Sequence, residues 1–420
     1  MRRAILIVCD GLRADMVTSE LTPNIFRFAE QARVFYNQGG VFPSTTRTTS
    51  ASIATGCHPR DHGLEGNWVA LDEGNGLEPM NAGLPDFRER LVKATGRTLG
   101  VPTLAQRLEN YGGSVVFSNV SPGAGIFQDP DGFGWMCHRD VAYGLGRIYS
   151  PPLGVSHDAA GDSEMTRRFI DEILTEKRAA LAVLWQCEPD LTQHDYPLGS
   201  PQHLSAVAAA DANVGRVVNA LSDGDSENLV IIASDHGHET VREIVPIESI
   251  LIKAGFKVCV DSRDVVVVSN GLSASIYVSK GARDRVPGMI ELLNQDHRID
   301  KVISGCDLKN VGHREKSALV IMVSGVHTNE CNEFGVPGTS SAFATALSSD
   351  SLVGCGEHGG LGAFEQNPIL LVAGEGFESG SQSNEKTSVI DIAPTIARHL
   401  RIGLEGMTGR AVQTNRNNLL

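Results

Sequence analysis

Four runs of nearly pure aliphatic residues, AILIVC (4–9), ALAVLWQ (180–186), LVIIAS (229–234) and PILLVAG (368–374), constrain this chain more than any other feature. Each has the length of a strand and none alternates with polar residues, so each must be covered on both faces. Helical patterns lie between them: TPNIFRFAEQAR, with Thr22 as cap and Pro23 as first helical residue, TLAQRLENYG, SEMTRRFIDEILTEKR (163–178), PQHLSAVAAADANVGRVVNALS (201–222) and SVIDIAPTIARHL. Such alternation predicts an α/β fold with a parallel sheet between two helical layers.

Two stretches depart from it. Residues 69–162 are rich in Gly, Pro and Asp and read mostly as long loops, with one helix and the strand SVVFS. Residues 245–345 carry FKVCV, VVVV, SASIYVS, the helix ARDRVPGMIELLNQ and SALVIMV, a mixed pattern of their own. The simplest division is a core of 1–244 and 346–420 with an inserted smaller α+β cap at 245–345.

Composition excludes some functions. With 36 Lys+Arg against 50 Asp+Glu among 420 residues, the formal charge is -14, which argues against a nucleic-acid polymer as partner. A small anionic substrate fits if local cations offset that charge. The first apolar run ends at Asp10, too short for a signal peptide or a membrane span, so a cytoplasmic protein with no membrane partner is expected. The 8 cysteines form no CxxC pair and are expected to be reduced, buried thiols.

Three aspartates, Asp10, Asp190 and Asp235, stand just past apolar runs. In an open parallel sheet the ligand crevice lies beyond the carboxyl ends of the strands, so these acids can converge there. Converging carboxylates repel one another unless a cation sits between them. His194 follows Asp190 by four residues, His236 follows Asp235 directly, and His358 sits among glycines in GEHGGLG. Mixed carboxylate and imidazole donors suit zinc ahead of manganese or iron. The segment VFPSTTRTTSASIATG (41–56) adds 8 hydroxyls in 16 residues, where a helix needs at most one as cap.

CDGLRAD, PSTTRTTSASIATGCHPRDHGLEGN, EPDLTQH, SDHGHE and GEHGG, in that order, resemble the metal and nucleophile motifs of the alkaline phosphatase superfamily, nearest its nucleotide pyrophosphatase/phosphodiesterase branch. The resemblance implies an alkaline-phosphatase-like three-layer sandwich. It also implies two divalent metal ions, zinc or alternatively manganese, one held by Asp10, Asp235 and His236 and the other by Asp190, His194 and His358. Thr46 falls at the family's nucleophile, which also touches metal, and Asn67 at an amide that holds a phosphoryl oxygen. The implied activity is hydrolysis of phosphodiester or pyrophosphate bonds in a small phosphorylated or phosphonate substrate, through a phosphothreonine.

Other readings stand beside this one. A phosphonoacetate-hydrolase-like enzyme cleaving a C–P bond shares the motifs, but the resemblance would call for lysines where TLAQRLENYGGSVVFSN has none. A phosphomonoesterase and a catalytically silent metal-binding homologue are the remaining alternatives. Thr45 and Ser44 compete with Thr46 as nucleophile, and Thr46 could simply cap its helix. Asn67 could be a turn residue. His62 is expected to brace its own loop, His238 to support a ligand or lie exposed, and HREK (313–316) to be a solvated loop. Trp68, Phe133 and Trp135 could stack on a substrate ring or merely pack.

Overall fold

The computed structural model describes residues 2–172, 179–221, 227–347 and 351–414. Strands β1 (Arg3–Cys9), β2 (Ser114–Ser118), β3 (Leu181–Gln186) and β4 (Asn228–Ala233) run parallel in the spatial order β4-β1-β3-β2, within a sheet of 10 strands. Side chains of β1 alternate between two cores. Ala4, Leu6 and Val8 pack with Ile392, Ile396 and Leu400 of the helix Ile392–Leu400. Ile5, Ile7 and Cys9 pack with Val207, Val214 and Val217 of the helix Pro201–Leu221. Both faces are therefore dry, which is why these strands carry no polar alternation.

The fourth apolar run forms β5 (Leu370–Ala373), which joins β4 antiparallel. An apolar run reports burial on both faces but not direction, so the sequence could not distinguish this strand from its parallel neighbours. The helical pattern at 163–178 forms Ala159–Phe169, while its end at 173–178, like Ser222, lies outside the described residues.

The stretch read as loops holds more structure than its composition foretold. Trp68–Asp72 and Leu77–Asn81 form a hairpin whose turn is tied by Asp72 Oδ1, which accepts from the N–H groups of Gly74 at 2.7 Å and Gly76 at 3.0 Å. Glu78 and Pro79 in the second strand hid it from a reading by β propensity. Within 245–345, Val265–Ser269, Ser273–Val278, Ile299–Ser304 and Leu319–Gly325 make an antiparallel sheet of 4 strands. Val266, Val268, Tyr277 and Met322 of this sheet share a core with Val69, Met80 and Phe87 from the hairpin region. FKVCV forms no strand, and Val258 and Val260 are exposed.

All 8 cysteines are free, but only Cys9, Cys57, Cys187 and Cys355 are buried. Cys137 is partly covered and Cys259, Cys306 and Cys331 are exposed, which corrects the expectation of uniformly buried thiols. The exposed three come from irregular or surface segments, where thiol content says nothing about packing. Among the described residues no helix is long and apolar enough to cross a membrane.

The hydroxyl-rich segment forms helix α1 (Thr46–Thr55), closed by Gly56 in a left-handed conformation at φ 68°. Its hydroxyls are mostly spoken for: Ser50 Oγ donates to the Ala124 carbonyl at 2.6 Å, and Thr55 Oγ1 to that of Ala51 at 2.7 Å. Ser52 Oγ meets His62 Nε2 at 3.0 Å, and His62 Nδ1 accepts from the Leu64 N–H at 3.1 Å. That leaves the proton on Nε2 and makes His62 a brace between α1 and the loop that follows it. His313 is also buried rather than solvated, its Nε2 2.7 Å from the Phe42 carbonyl oxygen.

Burial, with the neighbouring His313, His58 and Arg314 adding to it, pushes the His62 imidazole down to about 3. The folded chain thus resists a proton that the unfolded chain accepts near pH 6.5. Stability is lost as pH falls through that value, at up to about 1.4 kcal/mol per pH unit. Thermal melts of the wild type and His62→Gln from pH 7 to pH 5 are expected to show a shallower decline for the variant; equal slopes would contradict this role.

Candidate active site

The register of the sheet explains why distant acids meet. Cys9 pairs with Gln186 and Val8 with Ala233, so β1, β3 and β4 end at one level. Asp10 leaves β1 directly and Asp235 leaves β4 two residues on. Asp190 opens the short helix α2 (Asp190–Asp195) after β3. The connection is tight: the Asp190 N–H donates to the Asp10 carbonyl at 3.1 Å and the Gly11 N–H to Asp235 Oδ1 at 3.1 Å. Gly11 holds φ 68°, and a Cβ there would stand 2.8 Å from His238 Nε2, so both conformation and space require glycine.

Two groups of donor atoms form at this level. In the first, His236 Nε2 lies 3.1 Å from Asp235 Oδ2, 3.5 Å from Asp10 Oδ1 and 3.2 Å from Thr46 Oγ1. In the second, Asp190 Oδ1 lies 3.5 Å from His194 Nε2, 3.6 Å from His358 Nε2 and 2.7 Å from His238 Nε2. Asp190 also falls within ligand-sharing reach of Asp10 and His236, so the groups adjoin. The His236 and His358 rings stack with centroids 3.7 Å apart.

Asp10, Asp190, Asp235, His194, His236, His358 and Thr46 thus come together. Asn67 joins Asp10, Thr46, Asp190, His194 and His358 in lining a cavity of about 340 Å³.

The three neighbouring hydroxyls are distinguishable by their partners. Ser44 Oγ donates to Glu365 Oε2 at 2.9 Å, and Thr45 Oγ1 donates to Thr48 Oγ1 at 3.1 Å. Thr46 Oγ1 is the one that meets His236. Asn67 is oriented too: its Oδ1 accepts the Arg47 N–H at 3.1 Å, so its amide N–H groups remain free to donate elsewhere. The adjoining Trp68 backbone is clamped by Asn270, whose Oδ1 accepts from Trp68 N at 2.9 Å. Trp68 lines the cavity, whereas Phe133 and Trp135 do not.

His238 is the residue whose place the sequence left open. It is buried, with Nε2 on Asp190, and burial first among its causes pushes it down to about 3. The second histidine of SDHGHE was the available signal.

The electrostatics call for a cation. Burial, then Asp235 and Asp190, push the Asp10 carboxyl well above its ordinary range. Burial would raise Asp190 as well, but the His194 and His238 imidazoles hold it well below. His194 is lifted to about 9 against its burial by Asp190 and Glu357. Asp10 Oδ1 and Asp235 Oδ2 are buried without a hydrogen-bond partner. Buried carboxylate oxygens in that state need a positive charge, and these donor sets, oxygen-rich in one group and imidazole-rich in the other, fit divalent metal. His358 Nδ1 lies 2.8 Å from the Ser44 carbonyl oxygen, which places its proton there and leaves the Nε2 lone pair turned to the cluster.

The family model for type I phosphodiesterase/nucleotide pyrophosphatase matches residues 4–319. The chain belongs to this family. Human ectonucleotide pyrophosphatase/phosphodiesterase family member 7 is 26% identical over 249 residues, covering 57% of this chain and 48% of that protein. The chain therefore matches about half the length of that curated relative. Murine ectonucleotide pyrophosphatase/phosphodiesterase 5, also solved as an inactive variant with AMP, superposes with a TM-score of 0.70 at 17% identity, covering 97% of each chain. Phosphonoacetate hydrolase from Sinorhizobium meliloti 1021, in complex with phosphonoformate, gives 0.67 at 16% identity over 95% of each chain. At these identities the superpositions establish a shared fold.

Proposed function

We propose that this protein is a metal-dependent hydrolase that cleaves phosphodiester or pyrophosphate bonds in a small substrate through a phosphothreonine at Thr46. The observation that carries the reading is Thr46 Oγ1, the hydroxyl of its stretch that opens onto the joined carboxylate and imidazole groups. Asp10, Asp235, His236 and Thr46 would hold one divalent ion, and Asp190, His194 and His358 the other. Zinc suits these donors best. Bound there, such ions supply the positive charge that makes a hydroxyl acidic at neutral pH and offsets charge on phosphoryl oxygens.

The chain's own residues account for the rest of the chemistry. Thr46 Oγ gives up its proton, attacks phosphorus and forms an O–P bond as the bond to the leaving oxygen breaks with its electron pair; water then cleaves the threonine–phosphorus bond, which restores the hydroxyl and releases the retained half of the substrate as a phosphomonoester. Asn67 donates from its amide nitrogen to a non-bridging oxygen, having its own oxygen pinned by Arg47 N–H. His238 steadies Asp190 through the 2.7 Å contact. Ligands of relatives, AMP and phosphonoformate, agree with a small phosphoryl or phosphonate substrate.

Zinc-loaded protein is expected to hydrolyse bis-p-nitrophenyl phosphate. Thr46→Ala is expected to abolish turnover while keeping bound metal, measured by elemental analysis; wild-type activity would move the nucleophile to Thr45 or Ser44. Asn67→Ala is expected to slow the same reaction about ten- to a thousandfold, and an unchanged rate would remove it from the site. No turnover of this diester, p-nitrophenyl phosphate or phosphonoacetate by metal-loaded protein would favour a silent homologue.

A further inference from the structure

Arg47 follows Thr46 on α1 and supplies, among the described residues lining the cavity, the one lysine or arginine side chain. Its Nε donates to Ser121 Oγ at 2.9 Å, which fixes the plane of the guanidinium. The group lies over Gly83, where a Cβ would stand 2.8 Å from Nη2 and 3.0 Å from Nε. Glycine at 83 therefore makes the room that the guanidinium occupies.

Among the described residues no carboxylate lies within 4.0 Å of the Arg47 nitrogens, although Asp10, Asp190 and Glu357 line the same cavity. An arginine beside acids normally spends its fork on one of them, because a desolvated cation without a partner is costly. Here Ser121 takes the Nε–H, Asn67 Oδ1 accepts the Arg47 backbone N–H, and Asn81 Oδ1 and Arg47 Nη2 both border the space over Gly83. The same cavity is lined by the proposed metal ligands Asp10, Asp190, His194 and His358.

We propose that Arg47 is the specificity-determining residue of this pocket, its terminal nitrogens binding a second anionic oxygen group of the substrate beside the phosphoryl group under attack. The inference rests on the metal-dependent hydrolase reading above, and among its substrates it favours phosphoryl compounds with a negative charge beyond the single one of a diester. That further charge lies either on the leaving group, as in a pyrophosphate or a phosphonocarboxylate, or on the attacked phosphorus, as in a monoester, which would shift the reaction away from diesters.

Three substrates separate these cases with metal-loaded wild type, Arg47→Met and Arg47→Lys. Methyl p-nitrophenyl phosphate carries one charge, p-nitrophenyl phosphate carries two on one phosphoryl group, and phosphonoacetate adds a carboxylate on the leaving carbon. Arg47→Met is expected to lower kcat/KM for phosphonoacetate, alone or together with p-nitrophenyl phosphate, about ten- to a hundredfold more than for the methyl diester, mainly through KM, with part recovered in Arg47→Lys. A loss on phosphonoacetate alone places the second anion on the leaving group, and a loss on both places it on phosphorus. Equal losses on all three would mean that Arg47 only balances the charge of the acids and would overturn the proposal.

Calorimetric binding of inorganic phosphate and of phosphonoacetate to metal-loaded Thr46→Ala, with and without Arg47→Met, needs no turnover. At least tenfold weaker binding of one of them is expected, and unchanged Kd values for both would overturn the assignment. Absence of all turnover in the wild type would instead sink the hydrolase reading while this binding comparison still decides the role of Arg47.

Discussion

Three carboxylates delivered to one level of a dry sheet are the constraint on which the rest of this structure depends. Asp10, Asp190 and Asp235 cannot move apart, because backbone N–H groups of Gly11 and Asp190 lock the strand ends to one another. Water relieves little of the repulsion at Asp10 and Asp235, which are fully buried, whereas Asp190 keeps partial exposure toward the cavity. Trp185 Nε1 donates to Asp10 Oδ2 at 2.9 Å, which satisfies one oxygen and leaves Oδ1 turned to the cluster. A fold that spends a tryptophan on orienting a carboxylate and leaves its other oxygen bare has left a position for a cation.

The helix layer serves this point. The amino end of α1 places Thr46 against His236, while Ser44 and Thr45, two residues and one residue earlier, turn to Glu365 and Thr48. Glu365 also accepts the N–H groups of Gly360 at 2.7 Å and Gly362 at 2.9 Å. A buried carboxylate thereby joins the segment before α1 to the glycine loop that carries His358. The threonine and the His358 ring are positioned by one hydrogen-bonded unit, since Ser44 contributes its hydroxyl to Glu365 and its carbonyl to His358.

What the sequence disclosed follows physical lines. Apolar strands followed by acids are read easily, because burial on both faces forbids polar alternation and the residue after a strand must leave the sheet at a known edge. Asp10, Asp190 and Asp235, with His194, His236 and His358 near them in the motifs, were therefore identifiable as a set of proposed ligands. Strand direction in β5 was not, since burial is symmetric with respect to it. The hairpin at 68–81 was hidden because its stability comes from packing against Val266 and Tyr277, far off in the chain. The same limit applied to His238 and Arg47: only three-dimensional neighbours tell a buried histidine on Asp190 from an exposed one, or an arginine aimed into a cavity from one on the surface.

The central claim is that these side chains form a paired cation site beside Thr46. Anomalous diffraction from crystals of zinc-loaded protein tests it most directly. The account predicts two peaks, one about 2.0–2.2 Å from donor atoms of Asp10, Asp235, His236 and Thr46, the other at like distance from Asp190, His194 and His358. No peak in the cavity, or a single peak bound away from Thr46, would contradict it.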